Sequence, residues 1–174
     1  VSESLACNAE AILLPLVNTV GRLLSAGDAP AATLVLTVVS EQWGEGLAEL
    51  EEWEYEQSEE TIDEAGSDVD ALLAEALLSQ NLLIAERKRW LARVRDWEED
   101  VIFLGSTEAA LEQWWDYPPL VAVLQGNIGE QGAWDGEAPK WADSLALARL
   151  HVLERQERTQ EYLNLALAEG QTLP

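Results

Sequence analysis

Cysteine and histidine, which serve as nucleophile and base in many active sites, are scarce in this chain. Its 174 residues include one cysteine, Cys7, and one histidine, His151. A nucleophilic site needs a base beside the nucleophile and a third group that orients the base. No motif in the sequence places such a partner next to either residue. We therefore expect His151, which stands between Leu150 and Val152 in a predicted helix, to be a structural or surface residue.

Carboxylates are abundant and could bind a cation or form an acid and base pair. The chain has 33 Asp and Glu against 10 Lys and Arg, a formal net charge of −23. The segment from Asp63 to Asp70 could offer oxygen ligands to Ca²⁺ or Mg²⁺, but its spacing differs from that of an EF-hand loop. Paired carboxylates for glycoside hydrolysis would need an enclosed cleft with aromatic walls. Nothing in the sequence defines such a pair, so a solvated acidic segment is favoured.

The acids are concentrated between Glu41 and Asp70, where 13 occur without any Lys or Arg. Their mutual repulsion predicts a frayed helix end and an acidic loop over residues 51–67. This charge would attract a basic partner. It would also oppose approach to nucleic acid and to anionic membrane surfaces, which are bound through Lys and Arg. We expect a protein partner of basic character, with no direct nucleic-acid binding and no membrane binding by this segment.

Half of the ten basic residues lie in nine positions, namely Arg87, Lys88, Arg89, Arg93 and Arg95. Such a cluster could bind an anion or a nucleic acid. Many acids precede it and four follow it directly, so ion pairs within the chain are the favoured use. The eight tryptophans could line a ligand pocket, but at helical spacing we expect most of them in the core.

The spacing of apolar residues predicts that helices alone carry these groups. Apolar residues from Ile12 to Leu24 indicate a first helix, and Asp28 is expected to cap a second helix that returns antiparallel to it. This second helix is predicted over residues 31–50, and further helices over 69–78, 84–104, 120–125, 141–156 and 158–169, and over a short segment capped by Ser106 or Thr107. In the last hairpin, Leu145, Ala148 and Val152 are expected to face Tyr162, Leu163, Ala166 and Leu167.

The predicted fold class is all-α: an irregular helical repeat (an α-solenoid with tetratricopeptide-like hairpins) or a helical bundle of about six to eight helices. Residues 1–174 are expected to form a single all-helical domain. Its Gly-rich loop, residues 126–140, is too long for a simple turn and is expected either to bind something or to wrap a core. The single cysteine and the absence of a leader or a long apolar run predict a cytoplasmic location.

Four short stretches carry a resemblance to a known family: WDYPPL at 115–120, LQG at 124–126, GAW at 132–134 and AEGQT at 168–172. They resemble the helical region of bacterial SWIM zinc-finger family proteins, over about a third of the chain. The resemblance implies a longer chain with a Cys-x-Cys and then a Cys-x-His zinc motif near its start, followed by helices such as these. Such chains are often encoded near AAA-type ATPases.

The zinc motif itself is absent from these residues. One Cys and one His cannot supply the four ligands of a structural zinc site, so we expect no cofactor in this segment and zinc only in the missing motif. Any nucleic-acid role of the family would belong to that finger. The chain starts without methionine and stops just after a helix-like segment, and we therefore expect it to be a fragment of a longer protein.

We expect a non-catalytic protein–protein interaction module of a SWIM-type protein, not an enzyme. Its candidate surface combines acids that steer a partner with two aromatic anchors: Glu41, Glu45, Glu49, Glu52, Glu59, Glu60, Asp63, Glu64, Asp68, Trp134 and Trp141. Two alternatives stay open. One is an acid-based or metal-dependent hydrolase that uses carboxylates near the Trp-rich loop. The other is a nucleic-acid-associated protein that acts through a zinc finger outside this segment.

Overall fold

The computed structural model describes residues 15–48, 52–99, 104–129 and 132–170, with side chains described outside 43–62 and 98–99. These ranges contain eight helices and no strand, which confirms the predicted all-α class as a helical bundle. The helices are α1 (15–25), α2 (Ala29–Ala48), α3 (Glu52–Leu78), α4 (Ile84–Glu99), α5 (Gly105–Glu112), α6 (Pro118–Leu124), α7 (Ala142–Arg155) and α8 (Thr159–Ala168).

Helices α1 and α2 form the hairpin that the sequence predicts. Gly27 has a φ of +78°, a left-handed conformation that glycine adopts without steric cost, and it reverses the chain after α1. Asp28 then caps α2, because its Oδ1 accepts a hydrogen bond from the backbone N–H of Ala31 at 3.1 Å. Pro30 occupies the first turn of α2, where its missing N–H leaves no helical bond unmade.

Helix α3 is longer than predicted, and the prediction of an acidic loop over residues 51–67 is wrong for residues 52–67, the part that the structure describes. The helix runs without a break from Glu52 to Leu78, 27 residues in all. Glutamate is a good helix former, and repulsion between solvated charges is screened by salt. The second half of α3 is anchored by Val69, Leu73 and Leu77, which are buried in the core. A helix secured at one end propagates at little further cost.

The core has two parts that meet at α7. The larger part lies among α1, α2, α3, α4, α5 and α7, and the smaller lies among α6, α7, α8 and the loop before α7. Leu145, Ala148 and Val152 face the larger part, whereas Leu150 and Leu153 face the smaller one. The prediction that Leu145, Ala148 and Val152 face α8 is therefore wrong. Two apolar faces on one helix cannot be assigned to their partners from spacing alone.

Helix α5 is capped by a side chain from another helix. The predicted capping residues Ser106 and Thr107 instead lie in its first turn. Their backbone N–H groups donate to the two carboxylate oxygens of Asp70 in α3, at 2.9 and 2.8 Å. A carboxylate at a helix N-terminus satisfies free N–H groups and complements the helix dipole. Of the predicted helix over 84–104, the structure describes α4 over Ile84–Glu99 and shows Leu104 outside a helix, and residues 100–103 lie outside the described residues.

The Gly-rich loop wraps the core. Its described residues contain no helix, and Gly132 has a φ of +56°. A Cβ atom at Gly132 would lie 2.7 Å from Oε1 of Glu169, so a larger residue would clash with that side chain. Glu169, which follows α8, accepts hydrogen bonds from the backbone N–H of Ala133 at 2.9 Å and from Nε1 of Trp134 at 3.4 Å. These bonds attach the loop to the end of α8.

Candidate functional site

An open groove lies between α1, α3 and α7 and is the best candidate for a site in the described part of the chain. Its volume is about 300 Å³. Its apolar lining consists of Val17, Ala71, Leu72, Leu147 and Ala148. Its polar lining consists of Ser67, Asp68, Glu75, Ser144 and His151. We refer to it below as the α3–α7 groove.

A cluster of charged side chains closes one end of the α3–α7 groove. The Nδ1 atom of His151 donates to Oε2 of Glu75 at 2.8 Å, and Arg155 donates to Oε1 of Glu75 at 2.6 Å. Arg155 also donates to the hydroxyl of Ser79 at 3.2 Å. Glu75 thus contacts His151 and Arg155, and Ser79, one turn later in α3, contacts Arg155, one turn later in α7. The contacts advance in the same direction along both helices, so α3 and α7 run parallel here. The Glu75 side chain is 8% exposed, compared with 53% for His151 and 27% for Arg155.

The cluster stabilises the ionised form of each partner. Burial would by itself raise the pKa of Glu75, but the hydrogen bonds and positive charges of His151 and Arg155 outweigh it and lower that pKa. The hydrogen bond to Glu75 raises the pKa of His151, against the opposing effects of burial and the charge of Arg155. Glu75 therefore lies in the groove as a neutralised carboxylate and not as a free anion.

The groove lacks the geometry of a nucleophilic site among its described lining residues. Glu75 orients the imidazole of His151 as a carboxylate does in a catalytic triad. Two hydroxyl residues line the groove: Ser144 stands seven positions before His151 and Ser67 eight positions before Glu75, about 10 and 12 Å along the helix axes at 1.5 Å per residue. Each separation is too long for the hydrogen bond through which a base activates a nucleophile. The arrangement fits an ion pair that joins two helices.

The acidic residues of the candidate surface divide into three groups. Asp63, Glu64 and Asp68 are exposed on α3, and no salt bridge among the described side chains involves them. Glu41 forms an ion pair with Arg93. The third group, whose side chains lie outside those described, consists of Glu45, Glu49, Glu52, Glu59 and Glu60. The structure thus places three exposed acids of α3 beside the groove.

The two tryptophans proposed as anchors are not available as exposed side chains. Trp134 is buried, with 8% exposure, and packs edge-to-face against the half-buried Trp141 at a centroid distance of 5.7 Å. Trp134 belongs to the larger core, and its Nε1 donates a hydrogen bond to Glu169. The prediction that Trp134 is a surface anchor is therefore wrong. The large area of an indole ring favours burial wherever one N–H partner is available.

The basic cluster of α4 is largely used within the chain, as the sequence predicts. Arg87 pairs with Asp116 at 3.1 Å, and Arg95 pairs with Glu108 and Glu112 of α5, both at 2.7 Å. The guanidinium of Arg93 pairs with Glu41 and lies over the rings of Trp90 and Trp97 at 5.5 and 5.1 Å. Three of the five basic residues are thus paired within the chain, whereas Lys88 and Arg89 are exposed and form no ion pair among the described side chains.

The proposed cation ligands between Asp63 and Asp70 do not converge. Asp63, Glu64 and Asp68 are exposed, whereas Asp70 is buried and bonded to the start of α5. Burial raises the pKa of Asp70, although the hydrogen bonds from Ser106 and Thr107 act in the opposite direction. Among the described residues, no group of three or more His, Cys, Asp or Glu side chains is placed to hold a metal ion.

One carboxylate that contacts the Gly-rich loop, that of Glu169, has a structural use. Both oxygens of Glu169 accept hydrogen bonds from that loop. The adjacent buried arginine, Arg149, donates to the backbone oxygen of Gln113 at 2.7 Å, and burial lowers its pKa to about 10. The contacts of Glu169 are those of a loop anchor, and they give no particular support to the hydrolase alternative.

Glu75, which binds His151 and Arg155 at one end of the groove, was not predicted as a site residue from the sequence. A signal was present, because Glu75 stands in the run LLAEALL, where its neighbours are apolar. A lone acid on a buried helix face needs a cationic partner. The only histidine of the chain and Arg155, four positions later, share one face of a predicted helix. That pair could have been matched with Glu75.

The chain has no match among protein-family models, curated proteins or solved structures. Separately, no helix in the described ranges has both the length and the apolar character that a membrane span requires.

Proposed function

We propose that this chain is a non-catalytic protein-interaction module that binds a basic partner through the acidic residues of α3. One observation carries the proposal. Asp63, Glu64 and Asp68 are exposed without a salt bridge among the described side chains, whereas Arg87 and Arg95 are paired inside the molecule. Five of the ten cations, Arg87, Arg93, Arg95, Arg155 and Arg158, form ion pairs among the described side chains, whereas these three exposed anions form none.

The net charge supports a basic protein as the partner. A charge of −23 attracts Lys- and Arg-rich segments over roughly a Debye length, about 10 Å at 0.1 M salt. Electrostatic attraction of this kind raises association rates and selects among partners more than it raises affinity. The same charge repels phosphate backbones, whose binding requires Lys and Arg to replace counterions.

The resemblance of residues 115–172 supports a second part of the proposal. This chain would be the helical region of a cytoplasmic SWIM-type protein, with its zinc motif and any nucleic-acid role outside these residues. The test is to read the full gene. Cys-x-Cys and Cys-x-His pairs upstream of residue 1 would support the assignment, and a complete reading frame without them would contradict it.

The binding proposal can be tested with two triple variants of equal charge. The first removes the α3 acids by Asp63→Asn, Glu64→Gln and Asp68→Asn. The matched control removes three exposed acids elsewhere by Asp135→Asn, Glu137→Gln and Asp143→Asn. Each variant loses three negative charges, so the net charge changes from −23 to −20 in both. A difference between them then reports position and not total charge.

Each protein would be immobilised and exposed to a lysate of the organism that encodes it, at about 0.1 M and about 1 M salt. We expect partners that bind the wild type and the control triple at low salt, and that are lost from the α3 triple and at high salt. Binding that is equal for the two triples, or that persists at high salt, would contradict the proposal.

A further inference from the structure

Two of the exposed acids, Glu64 and Asp68, lie on the face of α3 that lines the α3–α7 groove. Glu64, Asp68, Leu72 and Glu75 follow one another at spacings of four, four and three residues, which places them on the same side of the helix. The groove section of this face, from Ser67 to Glu75, is about 12 Å long at 1.5 Å per residue. Glu64 extends the face beyond the groove toward the start of α3, whereas Asp63 is turned about 100° away from it.

Charge is distributed unevenly along this face. At one end Asp68 is exposed, and Glu64 follows one turn further out. At the other end the charge of Glu75 is balanced by Arg155 and His151. A ligand in the groove therefore meets net negative charge at the Asp68 end and a neutralised cluster at the His151 end. This asymmetry favours a ligand whose positive charges are gathered toward one end.

Apolar surface connects the two ends. The Leu147 side chain on α7 is 44% exposed, and it lines the groove together with the half-buried Leu72 and Val17. Covering such side chains would remove apolar surface from water, which is the main favourable contribution to association. The groove is too short for more than about two helical turns.

We infer that the α3–α7 groove receives the apolar face of an amphipathic helix of the partner protein, whose basic side chains lie at the Asp68 end. The inference rests on the proposed function and adds the docking place, the shape of the partner and its orientation. Parallel helices such as α3 and α7 leave a groove into which the side chains of a third helix pack. Strand addition would need an open sheet edge, and the described residues form no strand.

The test uses two synthetic peptides as probes, each about 15 residues long so that a helix can form. One carries leucines at the i, i+3, i+4 and i+7 positions of a single face, lysines at one end and uncharged polar residues elsewhere. The second has the same composition with the leucines distributed around the helix, so that charge is constant and amphipathicity is lost. Affinity is measured by fluorescence anisotropy, and the contact surface is mapped by ¹H–¹⁵N chemical-shift perturbation.

Two exposed leucines provide matched protein variants. Leu147→Ser changes the groove, and Leu167→Ser changes α8, where the leucine is 66% exposed and does not line the groove. Both residues lie at the surface, so circular dichroism should show that both variants fold. We expect Leu147→Ser to weaken binding of the amphipathic peptide about tenfold, since loss of part of one buried leucine is of that size. Leu167→Ser should leave it unchanged.

The outcomes separate this inference from the proposed function. Shifts at Ser67, Ala71 and Ser144, with at least tenfold preference for the amphipathic peptide, would support the groove. Equal effects of Leu147→Ser and Leu167→Ser, or shifts mapped away from the groove, would overturn it. If the α3 triple still weakens binding more than the control triple, the acidic interaction site stands without the groove. If the two triples are equal, the proposed function fails as well.

Discussion

Two buried carboxylates of α3, Asp70 and Glu75, have pKa values shifted in opposite directions because their hydrogen-bond partners differ. Their residues are 4% and 6% exposed. Asp70 is bonded to uncharged groups at the start of α5, and its pKa is raised. Glu75 is bonded to Arg155 and His151 of α7, and its pKa is lowered. Backbone N–H groups do not fully offset the desolvation of a carboxylate, whereas two cations do.

The two carboxylates also differ in whether water could reach their hydrogen-bond partners if the carboxylate were removed. The partners of Asp70 are backbone groups of Ser106 and Thr107, which are both 0% exposed. The side chains of His151 and Arg155 are 53% and 27% exposed, so water can replace Glu75 beside them. An unsatisfied buried donor is costly, and a partly solvated cation is much less so.

The largest effect is expected from Asp70→Ala. It leaves two buried backbone N–H groups without an acceptor and removes the cap of α5, which should lower the free energy of unfolding by about 3 kcal/mol. Asp70→Asn keeps one acceptor oxygen and should lose less. Urea unfolding of the three proteins measures the difference. A loss for Asp70→Ala no greater than that for Glu75→Ala would contradict the comparison.

A smaller effect is expected from Glu75→Ala. It breaks the bonds between α3 and α7 but leaves Arg155 and His151 able to reach water, so the free energy of unfolding should fall by about 1 to 2 kcal/mol. The same urea titrations provide the measurement, with Glu75→Gln as the variant that keeps the shape of the side chain. A loss of about 4 kcal/mol, typical of breaking a fully buried pair, would show that water does not reach the cations.

The opposite pKa shifts predict opposite responses to acid. Glu75 stabilises the fold above its ordinary pKa of 4.5, and this stabilisation is lost as pH falls through its lowered value. Asp70 stabilises the fold most below its ordinary pKa of 3.8, and this contribution is lost as pH rises through its raised value. Stability should therefore fall more steeply on acidification in Asp70→Asn than in the wild type, and less steeply in Glu75→Gln. Unfolding titrations at a series of acidic pH values test both slopes, and identical slopes would contradict the assigned directions.

The smallest effect is expected from His151→Ala. Because its pKa is raised, His151 stabilises the fold fully below its ordinary pKa of 6.5, and the effect is lost as pH rises through the raised value. Its side chain is 53% exposed, so solvent screening keeps the loss below about 1 kcal/mol. The difference from wild type should shrink in about 1 M salt and at high pH. A difference that is constant with pH would indicate lost packing instead of lost charge.

Local signals in the sequence were sufficient for most helices. The end of α3 at Leu78 and the start of α4 at Ile84 were predicted correctly, because apolar periodicity stops and restarts there. The residues missed or misplaced depend on distant partners. Glu75 is bonded to residues 76 and 80 positions away, and Trp134 is bonded to Glu169, 35 positions later. Repulsion among the acids of residues 51–67 was visible in the sequence, but the core that anchors α3 was not.

Helix α7 has three faces with different surroundings. The position of each residue along the helix therefore constrains the sequence more than the choice among similar apolar residues does. Leu145 and Val152 face one core, Leu150 and Leu153 face the other, and Leu147 with His151 borders the groove. One apolar residue can often replace another of similar size on such a face. Insertion of a single residue near the middle of α7 would instead turn everything after it by about 100°. Natural variants of this protein should therefore carry many substitutions in α7 and keep its length constant.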